Sequence, residues 1–285
     1  MRLSTSTNIH QTYNSNDYYF SINDSIELCH KVGFEVIDIS MNSISRPGFP
    51  LSKPDWETVV DKIGEALDKF NIMASQSHAL YHQKNDALNQ TLFEEQKLQI
   101  TRCLIASGKL RIPWVVMHPL HSGVTDGLTE EEVIDLNYNY FMEFYPIAQE
   151  HNVGIAIENM FPNWFSKAET LLKLLSRLDA TVFGACWDTG HAQLAGQNQP
   201  ESIKLLGDRL KATHIADNHG RHDNHVAPFI GTVDWPQVIH ALKHSGYTGD
   251  FTYEIHNMTK YLPEGLHEEM IKYTYTLGQF LLNTY

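Results

Sequence analysis

The sequence predicts an α/β protein folded as a single (β/α)8 TIM barrel over residues 1–285. Three observations carry this. Eight short runs rich in β-branched and apolar residues recur roughly every 30 to 40 residues, the period of a strand and its crossover helix. Most of those runs are nearly continuous in apolar character, as strands covered on both faces are. The stretches between them open on capping residues and continue with helical periodicity. A doubly wound sheet shares the alternation but wants a glycine-rich turn after its first strand, and Ser4-Thr-Ser-Thr-Asn8 supplies none.

The first strand falls at residues 2–7 and is the weakest of the eight. Phe34–Ser40, Ile72–His78, Trp114–His118, Gly154–Glu158, Phe183–Asp188, Leu210–His214 and Asp250–Glu254 follow. Between the second and third, Ser52-Lys-Pro-Asp55 has the grammar of a helix start before an amphipathic run ending near Phe70. Thr129-x-x-Glu132 and Ser166-x-x-Glu169 read as capping boxes, in which hydroxyl and carboxylate satisfy the first free N–H groups of a helix. Asp234-Trp-Pro-Gln237 is a near relative with proline just inside the helix. No Pro/Gly/Ser-rich linker or low-complexity tract divides the chain, so one domain is expected.

Composition narrows the function classes. The 21 basic and 34 acidic side chains leave a net charge of −13, which counts against a general binder of nucleic acid or anionic membrane. The three cysteines, Cys29, Cys103 and Cys186, are odd in number and far apart, which suits reduced thiols rather than a disulfide framework. Residues 1–11 are polar, with no apolar core of a signal peptide, and no stretch approaches the roughly 18 apolar residues of a membrane helix. A soluble, cytoplasmic protein is expected, and self-association into a homo-oligomer stays open.

The histidines and acids have an address. In a barrel the working face lies at the carboxyl ends of the strands. The last residues of strands three to eight are His78, His118, Glu158, Asp188, His214 and Glu254. Any one of these alone is more often a helix cap or an ion-pair partner. As a set they are mixed carboxylate and imidazole donors, suited to Zn²⁺, Mn²⁺, Fe²⁺ or Co²⁺. Glu158, Asp188, His214 and Glu254, from four neighbouring strands, can surround one cation. His191, three residues after Asp188, and Asp223-Asn-His225 on the loop after His214 either extend the site to two or three ions or hydrogen-bond a polyol. His10, His30, His82, His151, His219, His222, His240, His244, His256 and His267 read as surface or structural residues.

Several motifs carry a resemblance. They are Gly154-Ile-Ala-Ile-Glu-Asn159, Trp187-Asp-Thr-Gly-His191, His214-Ile-Ala-Asp-Asn218, Asp223-Asn-His225, Pro228-x-x-Gly-Thr-Val-Asp-Trp235 and Tyr253-Glu-Ile-His256. Together they resemble the xylose isomerase-like TIM barrel superfamily of sugar and sugar-phosphate isomerases, epimerases and endonuclease IV. The match is tight from about Val115 to His256 and loose over the first hundred residues. The resemblance implies that Glu158, Asp188, His214 and Glu254 are the metal ligands shared by the epimerases, with Glu158 and Glu254 also acting as acid and base. It implies that His191 contacts substrate oxygens or metal. His78, His118, Asp223 and His225 match the remaining ligands of a trinuclear zinc site.

Two chemistries follow. In the first, a divalent metal, Zn²⁺ or Mn²⁺, in one to three copies, stabilises an enediolate of a small sugar or sugar phosphate while the two glutamates move the proton. His191, Trp187 and Arg221 are then the substrate-binding candidates, Arg221 for a carboxylate or phosphate. Trp164, Phe229 and Trp235 join Trp187 as candidate pocket walls. The second is multi-zinc phosphodiester cleavage at abasic DNA, which needs loops that grip phosphates. The loop after the second strand, Met41 to Lys53, has only Arg46 and Lys53 as basic residues, and the loop after the third has Lys84 beside Asp86. That sparse basic content places sugar chemistry first. A non-catalytic metal-binding barrel is the remaining class.

Overall fold

The computed structural model describes residues 1–10, 12–14, 17–19, 21–121 and 123–285. Its strands are β1 (Leu3–Ser6), β2 (Thr12–Asn14), β3 (Asp17–Tyr19), β4 (Val36–Ile39), β5 (Met73–His78), β6 (Trp114–Met117), β7 (Gly154–Glu158), β8 (Phe183–Asp188), β9 (Leu210–His214) and β10 (Phe251–Tyr253). Eight of them form one parallel sheet in the order β10-β1-β4-β5-β6-β7-β8-β9, while β2 and β3 make a separate antiparallel hairpin in the loop after β1. The strands β7, β8 and β9 coincide with the expected runs residue for residue. The other five barrel strands are one to three residues shorter, because ladder pairing stops before the apolar pattern does.

The helices are α1 (Ile22–Val32), α2 (Asn42–Ser45), α3 (Glu57–Phe70), α4 (Gln90–Lys109), α5 (Glu130–Glu150), α6 (Ala168–Leu175), α7 (Thr189–Leu194), α8 (Gln199–Leu206), α9 (Trp235–His244) and α10 (His267–Thr284). Thr129 caps α5 in a complete box with Glu132, and Asp234 caps α9 through the Gln237 N–H. Two expected starts are corrected. Ser166 closes a short 3-10 turn capped by Asn163, and α6 begins after Lys167 without a side-chain cap. Ser52 likewise ends a 3-10 turn, and α3 begins after Trp56. In both places a tight turn takes the polar residue that sequence grammar assigns to the cap.

Strand alternation sorts the side chains into two layers. Val115, Ile155, Ile157, Ala185 and Trp187 face outward into the main core shared with the helices. Val116, Ala156, Cys186 and Ala212 form a separate small apolar cluster. The inner residues of the other strands are polar: the Gln76 amide reaches Asp38 at 2.8 Å and the Thr213 carbonyl at 3.3 Å, and the Thr252 hydroxyl donates to Gln76. Asp38 and Gln76 are partners on adjacent strands, whereas the bonds linking Gln76 with Thr213 and with Thr252 join strands that are not neighbours in the sheet and so cross the barrel interior. A register shift in the β4–β5 ladder between Ile37 and Asp38 marks the bulge that sets Asp38 in place.

The barrel closes between β9 and β10 beyond the end of the regular ladder. Ile215 N–H donates to the Thr252 carbonyl and Glu254 N–H to the Ile215 carbonyl. The buried Thr213 hydroxyl also donates to the Asp250 carbonyl and accepts from the Thr252 N–H. The closing seam therefore fixes the neighbours of His214 and Glu254. Among the described residues no helix is long and apolar enough to cross a membrane.

Candidate metal centre

Each candidate ligand is set by the strand end that carries it. At β8, Asp188 caps α7: its Oδ1 accepts the His191 N–H at 2.6 Å, which leaves Oδ2 buried without a hydrogen-bond donor. Asn159, next to Glu158, accepts from Asp188 N–H and donates to the Asp188 carbonyl, locking β7 to β8. Thr189 does the same for β8 and β9, donating to the Ala216 carbonyl and accepting from its N–H. The polar residues around the ligands in these motifs are thus the stitches that hold the strand ends in register.

Three histidines have their tautomers set by backbone. His78 Nδ1 lies 2.8 Å from the Ala79 carbonyl, His191 Nδ1 2.9 Å from the Asn159 carbonyl, and His225 Nδ1 3.0 Å from the Glu254 carbonyl. A carbonyl only accepts, so each Nδ1 donates and Nε2 is left to act as a ligand. His214 is oriented the other way. Its Nε2 faces the buried Asp38 carboxylate at 3.4 Å, while Nδ1 stands 3.2 Å from Glu158 and 3.4 Å from Glu254. Asp38, the buried carboxylate behind His214, was not singled out from the sequence.

The nine residues singled out from the sequence meet at one end of the barrel. Glu158, Asp188, His214 and Glu254 offer four ligand atoms all within 4.8 Å of one another. His78, His118 and Glu158 form a second such set, and His191, Asp223 and His225 a third. His256 forms a further set with His225 and Glu254, its ring 4.4 Å from that of His225. The sequence offered one signal for it, its place two residues after Glu254.

The electrostatics favour a cation. Burial would raise the Glu158 carboxyl, but His214, His118 and His191 around it hold it well below the usual carboxylate range. Asp188 has less compensation: burial, with Glu158, Glu254 and Asp223 nearby, pushes it up to about 6 despite His191. Burial drives His118 down to about 3, whereas at His225 it is outweighed by Asp223 and Glu254, which raise that imidazole to about 10. Both Glu158 oxygens, Asp188 Oδ2 and His214 Nδ1 are buried and lack hydrogen-bond partners among the described residues. Such groups are costly unless something compensates them, and a divalent ion does so for all four at once. The donor set fits Zn²⁺ or Mn²⁺.

Above the centre lies a cleft of about 770 Å³, lined by seven of the nine residues, all but the fully buried Asp188 and His214, and by His82, His121, His256 and Tyr81. Other candidates lie elsewhere. Trp187 is fully buried in the outer core, and Trp235 is buried with its indole N–H on Asp217. Arg221, Phe229 and Trp164 are exposed, and none of the three lines the cleft. Asp217 explains the Pro228-to-Trp235 motif. It accepts from Asn218 and Val233 N–H on one oxygen and from Phe229 N–H and Trp235 Nε1 on the other, so it holds the loop that carries Asp223 and His225. Gly231 is needed there, because a Cβ would lie 2.2 Å from the Asn218 carbonyl.

Comparison with known proteins agrees with this architecture. The family described as xylose isomerase-like TIM barrel matches residues 26–277. Among curated relatives, the uncharacterized protein y4fM of Sinorhizobium fredii is 37% identical over 109 residues, 37% of this chain and 34% of that protein. The uncharacterized protein MJ1311 of Methanocaldococcus jannaschii is 29% identical over 150 residues, 50% of this chain and 51% of that protein. The matched part therefore spans between a third and about half of the length of these relatives. Among solved structures, a D-tagatose 3-epimerase-like protein superposes with a TM-score of 0.74 at 23% identity, covering 99% of this chain and 98% of the other. D-psicose 3-epimerase, solved in the presence of D-fructose, gives 0.74 at 14% identity, with 99% of both chains covered. The IolI protein, solved with a zinc atom, gives 0.77 at 20% identity, covering 100% and 99%. At these identities the structures share the fold.

Proposed function

The chain belongs to the xylose isomerase-like TIM barrel family, and from that premise we propose that it is a metal-dependent isomerase or epimerase of a small sugar or sugar derivative. The observation that carries this reading is the pair Glu158 and Glu254, both within 3.4 Å of His214 Nδ1 and both lining a cleft of small-molecule size. Two carboxylates at one carbon-sized site are the equipment of proton transfer. One glutamate takes the proton from the carbon beside a carbonyl, and the other returns a proton to the neighbouring position or opposite face. A divalent cation held by Glu158, Asp188, His214 and Glu254 supplies Lewis-acid stabilisation of the negative charge that develops on the substrate oxygens. His191, with Nδ1 committed to the Asn159 carbonyl, presents Nε2 to the cleft and orients a substrate oxygen. Trp187 acts from behind the strand, packing the wall that supports Asp188.

A second reading, phosphodiester cleavage at abasic DNA, draws on the two additional three-residue ligand sets around His118 and Asp223. One experiment separates the two. Protein loaded with Mn²⁺ or Zn²⁺ is incubated in D₂O with a panel of ketoses and aldoses, and carbon-bound deuterium is followed by NMR. Exchange is expected with wild type and is expected to fall by about 10³-fold or more in both Glu158→Gln and Glu254→Gln, the loss typical of removing an acid–base group. Incision of an abasic duplex with no sugar exchange would overturn the proposal.

A further inference from the structure

The cleft is charged in an ordered way that the whole chain is not. The chain carries 34 acidic and 21 basic side chains. Yet the only carboxylates lining the cleft, among the described residues, are Glu158, Asp223 and Glu254, all of them at the metal centre. The remaining wall has no acid and three cations: Arg46 from the end of α2, Lys84 from the loop after β5, and Lys260 beyond β10. Neither Arg46 nor Lys84 has an ion-pair partner among the described residues. Nearby Asp86 instead accepts from the Gln83 N–H and the Gln96 amide. On an acidic protein, leaving two cations unpaired in the active cleft forgoes easy local neutralisation.

Their position relative to the metal centre is also defined. Arg46 Nη2 contacts the Tyr81 hydroxyl at 3.4 Å, and the Tyr81 ring stacks on His118 with centroids 4.7 Å apart. The guanidinium thus sits one tyrosine ring away from a candidate ligand, a gap that a short sugar chain bridges. Ser40, Ser43 and Asn42 line the same side and add neutral hydrogen-bonding groups. The exposed Arg221 is not part of this wall.

We propose that the cleft is bipolar and that its substrate is an anionic sugar, a phosphate ester or sugar acid, with the terminal anion held by Arg46 and Lys84, assisted by Lys260, and the reacting carbons at Glu158 and Glu254. This deepens the isomerase or epimerase reading and rests on it. Arginine supplies a forked, directional contact and lysine a point charge, the usual pairing for a phosphate or carboxylate. Two or three cations are too few to track a duplex backbone but enough for one terminal group.

The test uses full-length, Mn²⁺-loaded protein, with D-fructose and D-fructose 6-phosphate as probes in calorimetric titrations, and wild type beside the Arg46→Ala/Lys84→Ala double variant. Wild type is expected to bind the phosphorylated ketose about tenfold or more tightly than the neutral one at low salt, a preference that weakens at high salt. In the double variant the ratio is expected to collapse towards one, with Mn²⁺ affinity retained. The inference is overturned if wild type shows no preference while exchanging ketose protons, which leaves the isomerase reading intact. It is also overturned if the preference survives in the double variant, since the phosphate is then held by the metal centre, or if an abasic duplex outcompetes the sugar phosphate. If neither ketose binds or exchanges, both the inference and the reading beneath it fail.

Discussion

At His214 the two ring nitrogens have different tasks, and the residue that divides them is Asp38. Nε2 points at Asp38 Oδ2, the same oxygen that accepts from the Gln76 amide, and Nδ1 faces Glu158 and Glu254. A carboxylate behind a metal-binding imidazole fixes ring and tautomer and raises its basicity as a ligand. Asp38→Asn, close in volume and still polar, is therefore expected to lower Zn²⁺ or Mn²⁺ affinity by about ten- to a hundredfold. Its effect on the folding midpoint of the metal-free protein is expected to be small by comparison. Competitive chelator titration and the visible spectrum of a Co²⁺-substituted protein check this, and unchanged affinity and spectrum would count against the role. Asp38 was illegible in the sequence because its partner lies 176 residues away on a strand across the barrel. His256 was legible only as a histidine near Glu254, and its contact with His225 depends on how the 217–235 loop folds back.

Among the elements, the loop after β9 shows how a short motif becomes a support. Asp217 is fully buried and accepts four hydrogen bonds, two of them from residues that follow the Asp223–His225 pair by eight or more positions. Asp217→Ala strands those donors, at about 1–3 kcal/mol for each one left without a partner. A loss of about 3 kcal/mol or more in denaturant unfolding is expected, together with weaker metal binding through the displaced His225. A variant that binds metal normally would show that the loop holds without Asp217. Alternation accounts for the elements in which sequence reading placed residues differently from the structure. Asp188 faces inward, so Trp187 before it must face the helices, and the same rule turns Tyr253 away from Glu254. That rule was available from the sequence once the strand was drawn. The mistaken caps at Ser52 and Ser166 were not, because each serine is taken up as the last residue of a short 3-10 turn that helix-start grammar does not register.

For the molecule as a whole, metal binding at the proposed centre is expected to be coupled to pH and to stability. In the metal-free protein, burial disfavours the charged forms of His225, His214 and His191. Carboxylate neighbours outweigh it at His191 and His225, raising His225 to about 10, and Cys186 with Glu254 and Glu158 outweighs it at His214. These imidazoles therefore hold protons at neutral pH that an incoming ion must displace. Metal affinity is expected to rise with pH between about 6 and 9, by about tenfold per unit for each proton released, and proton release should appear as a buffer-dependent binding enthalpy. A flat profile would exclude this. Loading at about a hundred times the dissociation constant should add about 2.7 kcal/mol to stability, reversed by chelator. The sequence by itself determined the barrel, because apolar runs and helix starts are local and repeat with the strand–helix period. It also determined which residue types stand at the strand ends, hence the metal-suited donor set. Only the tertiary structure decided which imidazole nitrogen is free, which carboxylate stands behind His214, and that Arg46, Lys84 and Lys260 line the same cleft as Glu158, Asp223 and Glu254. The placement of Asp38 behind His214 depends on closing the barrel, which brings side chains 176 residues apart within a few ångströms of one another.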